Sequence, residues 1–329
     1  MKQAGPTPSG RRWRRGLFAI FSVVVFVVAA RVLLHDFRSL NWSSVEATIL
    51  GWRERFVIAI ALSALSYAMV GLIEWRALRW AGTRVPLGDA FKVSFIANGF
   101  AHSLGAAVVV SGAVRARLYA RHGVGLTTSA AVTAFQAATS TCGVAALVGL
   151  ACLLGYGGHG GLAWVIGVLT LGGVGLYVLA CRLARGNLRL WAYAFSLPTW
   201  KEAVAQIGLG AADNALAIAI LWVLLPARAI AYPAFVADYA IAYVAGALSG
   251  IPAGAGPFEG LLVKLLPHVD RAGLGAAFLG FRLIFNLGPL VLAAALFAIE
   301  LAKGRAGPEA LSRAAMAVSE PQQISNTSV

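Results

Sequence analysis

Residues 232–266 read YPAFVADYAIAYVAGALSGIPAGAGPFEGLLVKLL. The opening arm is apolar for roughly 17 to 19 residues, close to the roughly 20 that cross a bilayer core, whereas the closing arm of about 10 cannot cross one. Between them lies Ser249-Gly250-Ile251-Pro252-Ala253-Gly254-Ala255-Gly256-Pro257. Glycine frees the backbone and proline removes a donor, so a helix does not continue through it. A helical hairpin that enters and leaves on one face of the membrane satisfies both lengths. Lipid-exposed irregular backbone is not tolerated, so its tip must be covered by other helices or line a wet cavity.

A second segment has the same form. Gly88 to Tyr119 holds a long arm, a break from Leu104-Gly105-Ala106 through Ser111-Gly112, and a short arm. Laying Leu104 over Leu248 brings Gly112 onto Gly256 and Arg115 onto Glu259. Outside the hairpins, six apolar runs are long enough to span, at about 16–35, 53–80, 127–154, 162–183, 200–225 and 271–302. The lone run at 162–183 reverses the second half. The plan is therefore an inverted repeat, with halves at about 53–154 and 200–302, in which broken helices meet near the midplane as in secondary transporters.

The whole chain agrees with this reading. Its 329 residues are 59% hydrophobic and only 12% charged, against about 25% charged in a soluble domain. The expected class is an all-α polytopic integral membrane protein, with about six spanning helices and two oppositely oriented re-entrant hairpins. Residues 1–15 read as a disordered basic N-terminus, 16–302 as one transmembrane domain, and 303–329 as a disordered cytoplasmic tail. The run from Gly16 to Leu34 is too long for a signal peptide and reads as an uncleaved anchor. The formal charge of +14 concentrates at the ends of apolar runs, so it follows from membrane topology and not from nucleic-acid binding. Placing the N-terminus inside puts Arg76, Arg79, Arg84, Arg115, Arg117, Arg121 and Arg182 on the cytoplasmic side, and the C-terminus with them. The location expected is a cell (inner, cytoplasmic) membrane.

Charges deep in apolar runs are costly and mark sites. Asp213, in Gly208-Leu209-Gly210-Ala211-Ala212-Asp213-Asn214, is near the centre of its run; Arg282 is a third of the way into the last one. Arg115 and Glu259 follow the two breaks. Pairing Arg115 or Arg282 with Asp213 or Glu259 would build a polar headgroup cavity, with Asp238 nearby. Gly105, Gly112, Pro252, Gly254, Gly256 and Pro257 mark the hairpin breaks. Each charge has a plainer reading: buried pairs fix helix register, and Glu259 caps the helix that Pro257 begins. Asp89 reads as a helix N-terminal acid, Lys92 as a snorkelling side chain, and His102 as a packing histidine. Trp75, Trp80, Trp191 and Trp200 fit an interfacial belt. Cys142, Cys152 and Cys181 have neither disulfide nor metal spacing. No metal or cofactor is expected, and protease, esterase and nucleotide-hydrolase motifs are missing.

Ser111-Gly112-Ala113-Val114-Arg115, the segment Ile251–Glu259, and Phe281-Arg282-Leu283-Ile284-Phe285-Asn286-Leu287-Gly288-Pro289 together resemble the flippase-like transmembrane region of lysylphosphatidylglycerol synthetases, over roughly residues 50–302. In those enzymes such a region translocates aminoacylated phosphatidylglycerol, and a separate soluble domain makes it. No such domain follows here, so synthetase activity is not implied. Stand-alone relatives exist, some associated with hopanoid or glycolipid pathways, so the resemblance implies lipid handling without naming the lipid. Arg115, Glu259 and Arg282 match motif positions. Ala253 replaces a usual Gly, Asn286 replaces a usual aromatic, and the first break lacks the common Pro, which weakens any transfer of headgroup specificity. The expectation is a lipid translocator, not an enzyme, moving a phospholipid, aminoacyl-lipid, glycolipid or hopanoid. Arg115 and Arg282 would neutralise the headgroup, and proton movement through Asp213 or Glu259, or the lipid gradient, would supply energy. Its partners would be the lipid itself, and a second copy of the chain or a lipid-synthesis enzyme. A membrane-embedded lipid or glycosyl transferase and an assembly factor are the alternatives.

Overall fold

The computed structural model describes residues 51–104, 107–156, 161–183, 187–190, 193–226, 230–249 and 256–303. Its elements, in order, are α1 (Arg53–Trp80), α2 (Leu87–Leu104), α3 (Ala107–Tyr119), a single 3-10 turn (Ala120–His122), α4 (Leu126–Leu153), α5 (Gly161–Leu183), α6 (Trp200–Leu224), α7 (Tyr232–Leu248), α8 (Pro257–Leu265), α9 (Arg271–Phe281), a π-helical segment (Arg282–Leu287) and α10 (Gly288–Ala302). Asn187–Leu190 and Tyr193–Ser196 pair as a small antiparallel ribbon between α5 and α6, and the other regular elements among the described residues are helical.

Among the described residues, five stretches are long and apolar enough to cross a membrane: α1, α4, α5, α6, and α9 through α10. They coincide with five of the six expected runs. The sixth, at 16–35, lies outside the described residues, as do the basic terminus, the tail beyond Lys303, Trp191, Gly105, Pro252 and Gly254.

The two long arms end at Leu104 and Leu248, the pair on which the repeat was aligned. Each packs against its short arm, α2 on α3 and α7 on α8. The short arms differ. Gly112 is not part of a break: helix has resumed by Ala107, and Gly112 sits inside α3 against Thr133. Gly256 does begin a helix. Its φ of +94° is open to glycine and strained for other residues. Pro257 then takes the first helical position, where its missing N–H would have no partner anyway.

Two apolar cores result, one around each hairpin. Phe100, Val114, Leu118 and Tyr119 of the first hairpin are buried with Leu290, Ala293 and Phe297 of α10. Phe235, Phe258 and Leu262 of the second are buried with Leu221, Leu224, Phe278 and Phe281. The long arms also reach across: α2 packs on α10, and α7 on α4. Helices α4 and α6 approach closest at paired glycines. A Cβ on Gly143 would come within 2.2 Å of the Gly210 backbone, and one on Gly210 within 2.2 Å of the Thr139 carbonyl.

Candidate functional site

Helix α1 supplies the polar side of the interior. Ser63, Ser66, Tyr67, Val70 and Glu74 fall at helical spacing on one stripe, and all five are buried. Each faces a different partner.

At the far end of the stripe, Glu74 is 0% exposed and Arg115 is 1% exposed. Arg115 Nε lies 2.9 and 3.0 Å from the two carboxylate oxygens, and Tyr119 Oη donates to Oε1 at 2.9 Å. Arg115 also donates to Gln136 Oε1, whose amide in turn donates to the Val70 carbonyl at 3.2 Å. Arg115 is thus matched to Glu74, not to Asp213 or Glu259. A buried pair so completely bonded satisfies its own desolvation and holds α1, α3 and α4 together.

The expected pairing of Arg282 with Glu259 is present. Arg282 Nε and Nη2 lie 2.8 and 2.5 Å from Glu259 Oε1, and Oε2 accepts the Gly256 N–H at 2.8 Å. The capping and ion-pairing roles therefore belong to one carboxylate, which ties the start of α8 to the last helix. The side chains are 23% and 20% exposed, so unlike Arg115–Glu74 the pair is reachable.

Arg282 opens the π-helical segment, a geometry frequent at functional sites. Pro289 brings no N–H to the Phe285 carbonyl. Side-chain hydroxyls serve this carbonyl and both neighbours: Ser63 donates to Ile284 at 3.4 Å, Tyr67 to Phe285 at 3.4 Å, and Ser103 to Asn286 at 3.2 Å. Asn286 donates at 3.0 Å to the His102 carbonyl in the last turn of α2, satisfying an acceptor that the helix end leaves open. Asn286, which stands where the motif usually carries an aromatic, is here a C-terminal cap. The His102 ring lies against Phe285, with Nδ1 3.3 Å from Tyr67 Oη, and so packs as expected.

Asp213, near the middle of α6, accepts from Ser66 Oγ at 2.7 Å. Asn214 beside it turns away to the Gly210 and Ser140 carbonyls. Asp238 on α7 is half-buried and within electrostatic reach of His268, and it joins neither Asp213 nor the Arg282–Glu259 pair.

A further cluster joins the start of α2 to the end of α10. Arg121 lies 2.6 Å from both Glu300 and Asp89, and Lys92 lies 3.1 Å from both. Arg121 Nε donates to His122 Nε2 at 3.0 Å. Burial, and after it the Arg121 guanidinium, hold the His122 imidazole below its ordinary value. Among the described residues, no group of three or more His, Cys, Asp or Glu is placed to hold a metal. Trp75 stacks under Arg79 and Trp80 packs on Phe135. Cys142, Cys152 and Cys181 are free thiols.

Residues 18–293 match the family model described as the lysylphosphatidylglycerol synthase TM region. The chain belongs to that family. Other members align along nearly their whole length. The chain is 29% identical over 301 residues to the uncharacterized protein slr0712 of Synechocystis, covering 83% of this chain and 88% of that one. It is 27% identical over 303 residues to the inner membrane protein YbhN of Escherichia coli K12, covering 86% and 91%. Family membership and five candidate spans make this a multi-pass membrane protein. Of the motif positions that define the resemblance, Arg282 and Glu259 meet each other. Arg115 meets Glu74, a residue the motifs do not contain.

Proposed function

We propose that this protein translocates a lipid headgroup across the cytoplasmic membrane through the interior polar path lined by α1, the π-helical segment and the start of α8. The observation that carries this reading is the Arg282–Glu259 pair, a partly accessible charge pair where a broken helix meets an irregular turn of a long apolar helix. Arg282 uses Nε and Nη2 on Glu259, which leaves Nη1 for a headgroup oxygen such as that of an anionic phosphate. Arg115 drops out of the headgroup role, because its charge is already matched inside the protein. Acyl chains would stay in lipid.

The two helix pairs would act as re-entrant hairpins of opposite orientation, with both termini cytoplasmic. Their equivalent ends and reciprocal packing, α2 on the last helix of the other half and α7 on the last span of the first, support that arrangement. The relative from Escherichia coli carries the words inner membrane in its name, which supports that location, and the charge distribution supports cytoplasmic termini. Both oxygens of Glu259 are engaged, which counts against its use as the general base of a transferase.

Reconstitution in vesicles with a fluorescent phosphatidylglycerol tests the reading. Arg282→Ala and Glu259→Gln should each insert normally yet lose translocation to the protein-free rate, while Glu54→Gln at the exposed start of α1 keeps it. Wild-type transfer by both site variants would refute the mechanism.

A further inference from the structure

Most acids of the described helices have a basic group near them, and on α7 Asp238 has His268 within electrostatic reach. Glu74 has Arg115 and Tyr119, Glu259 has Arg282 and the Gly256 N–H, Glu300 has Arg121 and Lys92, and Glu202 has Arg76 at 3.0 Å. Asp213 has a single hydroxyl. Ser66 engages Oδ1, and no Arg, Lys or His among the described residues acts on the carboxyl.

The surroundings of α6 explain why no cation reaches it. From α1, Ser66 is the one donor, since Tyr67 is committed to the Phe285 carbonyl and His102. From α4, Ser140 meets Asn214 instead, and from α5, Tyr177 donates to Gln206 at 2.7 Å. From α7, Tyr239 and Tyr243 bring only phenol groups within electrostatic reach. Arg282, which follows α9, is held by Glu259. An unpaired carboxylate in that position is strongly disfavoured, and a proton relieves it.

A groove of about 490 Å³ opens between α1 and α6, where Leu65, Met69, Ala212, Ala215, Leu216 and Ala219 line it. These residues flank Ser66 and Asp213 in sequence and occupy the middle of two candidate spans. A hydrophobic reagent dissolved in lipid can therefore reach the α1–α6 seam at Ala212, the residue before Asp213.

We propose that Asp213 is a proton-binding site at mid-membrane depth, with the proton carried on Oδ2 while Oδ1 stays bonded to Ser66. This places the titratable function on Asp213 and removes Glu259, whose oxygens are both bonded, from that role. The site follows from the α1–α6 geometry and does not require that lipid be the cargo.

Dicyclohexylcarbodiimide reports on it, because the reagent takes the proton of a carboxylic acid onto nitrogen while the carboxyl oxygen adds to its central carbon. Full-length protein in phosphatidylethanolamine–phosphatidylglycerol vesicles would be treated from pH 5 to 8 and mapped by peptide mass spectrometry. We expect an adduct on Asp213 that increases as pH falls, with Glu74 and Glu259 unmodified, and loss of the adduct in Asp213→Asn. Ser66→Ala keeps Asp213 and supplies a variant with a milder packing change. Removing its hydrogen bond to the ionised form should move the labelling midpoint up by roughly half to one pH unit. An unlabelled Asp213 at every pH, labelling independent of pH, or equal labelling of Glu259 would overturn the proposal. Labelling is read whether or not lipid moves, so this site and the translocation reading fail separately.

Discussion

Glu74 and Arg115 show how a motif residue can be recognised without its role. Arg115 follows a glycine-containing segment and looks like a headgroup ligand, yet its partner lies on α1, 41 residues earlier in the chain. Nothing in a linear reading ranks Glu74 above other acids near a span end. The signal was present in the stripe Ser63, Ser66, Tyr67 and Glu74, whose helical spacing inside an apolar run marks one inward polar face. Removing either charge strands the other in the interior. Glu74→Gln or Arg115→Met should each cost about 3–5 kcal/mol, seen as a large fall in the thermal midpoint of detergent-solubilised protein. Combining Glu74→Met with Arg115→Met should recover much of that loss. Equal or greater destabilisation in the double variant would mean that the pair contributes net stability of its own. Glu259 and Arg282 do meet, one of the pairings the sequence offered: Glu259 follows the break that Gly256 and Pro257 mark, and Arg282 stands out as a charge within the last apolar run.

The long apolar helices were legible at the scale of the element, since length and composition alone determine them. Helix breaks were less so. Gly112 suggested a break because glycine permits one, but it lies inside α3, where a Cβ would meet Thr133 at an ordinary 3.5 Å. The π-helical turn was invisible, as it depends on donors from α1 and α2 as well as on Pro289. Gly143 and Gly210 are another case where only the packed pair has meaning. Gly210→Val should force α4 and α6 apart and cost at least about 1–3 kcal/mol, whereas Gly208→Val, with open space around it, should cost much less. Comparable thermal midpoints for the two would contradict the close crossing. The α2–α10 clasp carries a pH signature. Because His122 is harder to protonate in the folded protein, the clasp is at full strength above about pH 6.5 and weakens as pH falls through that value. Hydrogen exchange over residues 120–124 should accelerate from pH 7.5 to pH 5.5 after correction for intrinsic rates, and His122→Gln should flatten the difference.

Among the described residues, the molecule is organised by packing between helices far apart in the chain. Each hairpin finds its apolar cover partly on the other half, with α2 against α10 and α7 against α4. Sequence alignment of the hairpins found the equivalence of their long arms, since Leu104 and Leu248 end both. It did not find this packing, because contacts between residues so distant in the chain leave no local pattern. The translocation proposal belongs at this scale, for it requires both halves to frame one polar path.

That packing bears on biogenesis. As the polypeptide leaves the ribosome, the first hairpin can pack on α1 and α4 but lacks its α10 face until that helix is made, and Arg121 and Lys92 have only Asp89 until Glu300 follows. That one face of the first hairpin must therefore stay in lipid or in the insertion machinery until α10 arrives to cover it.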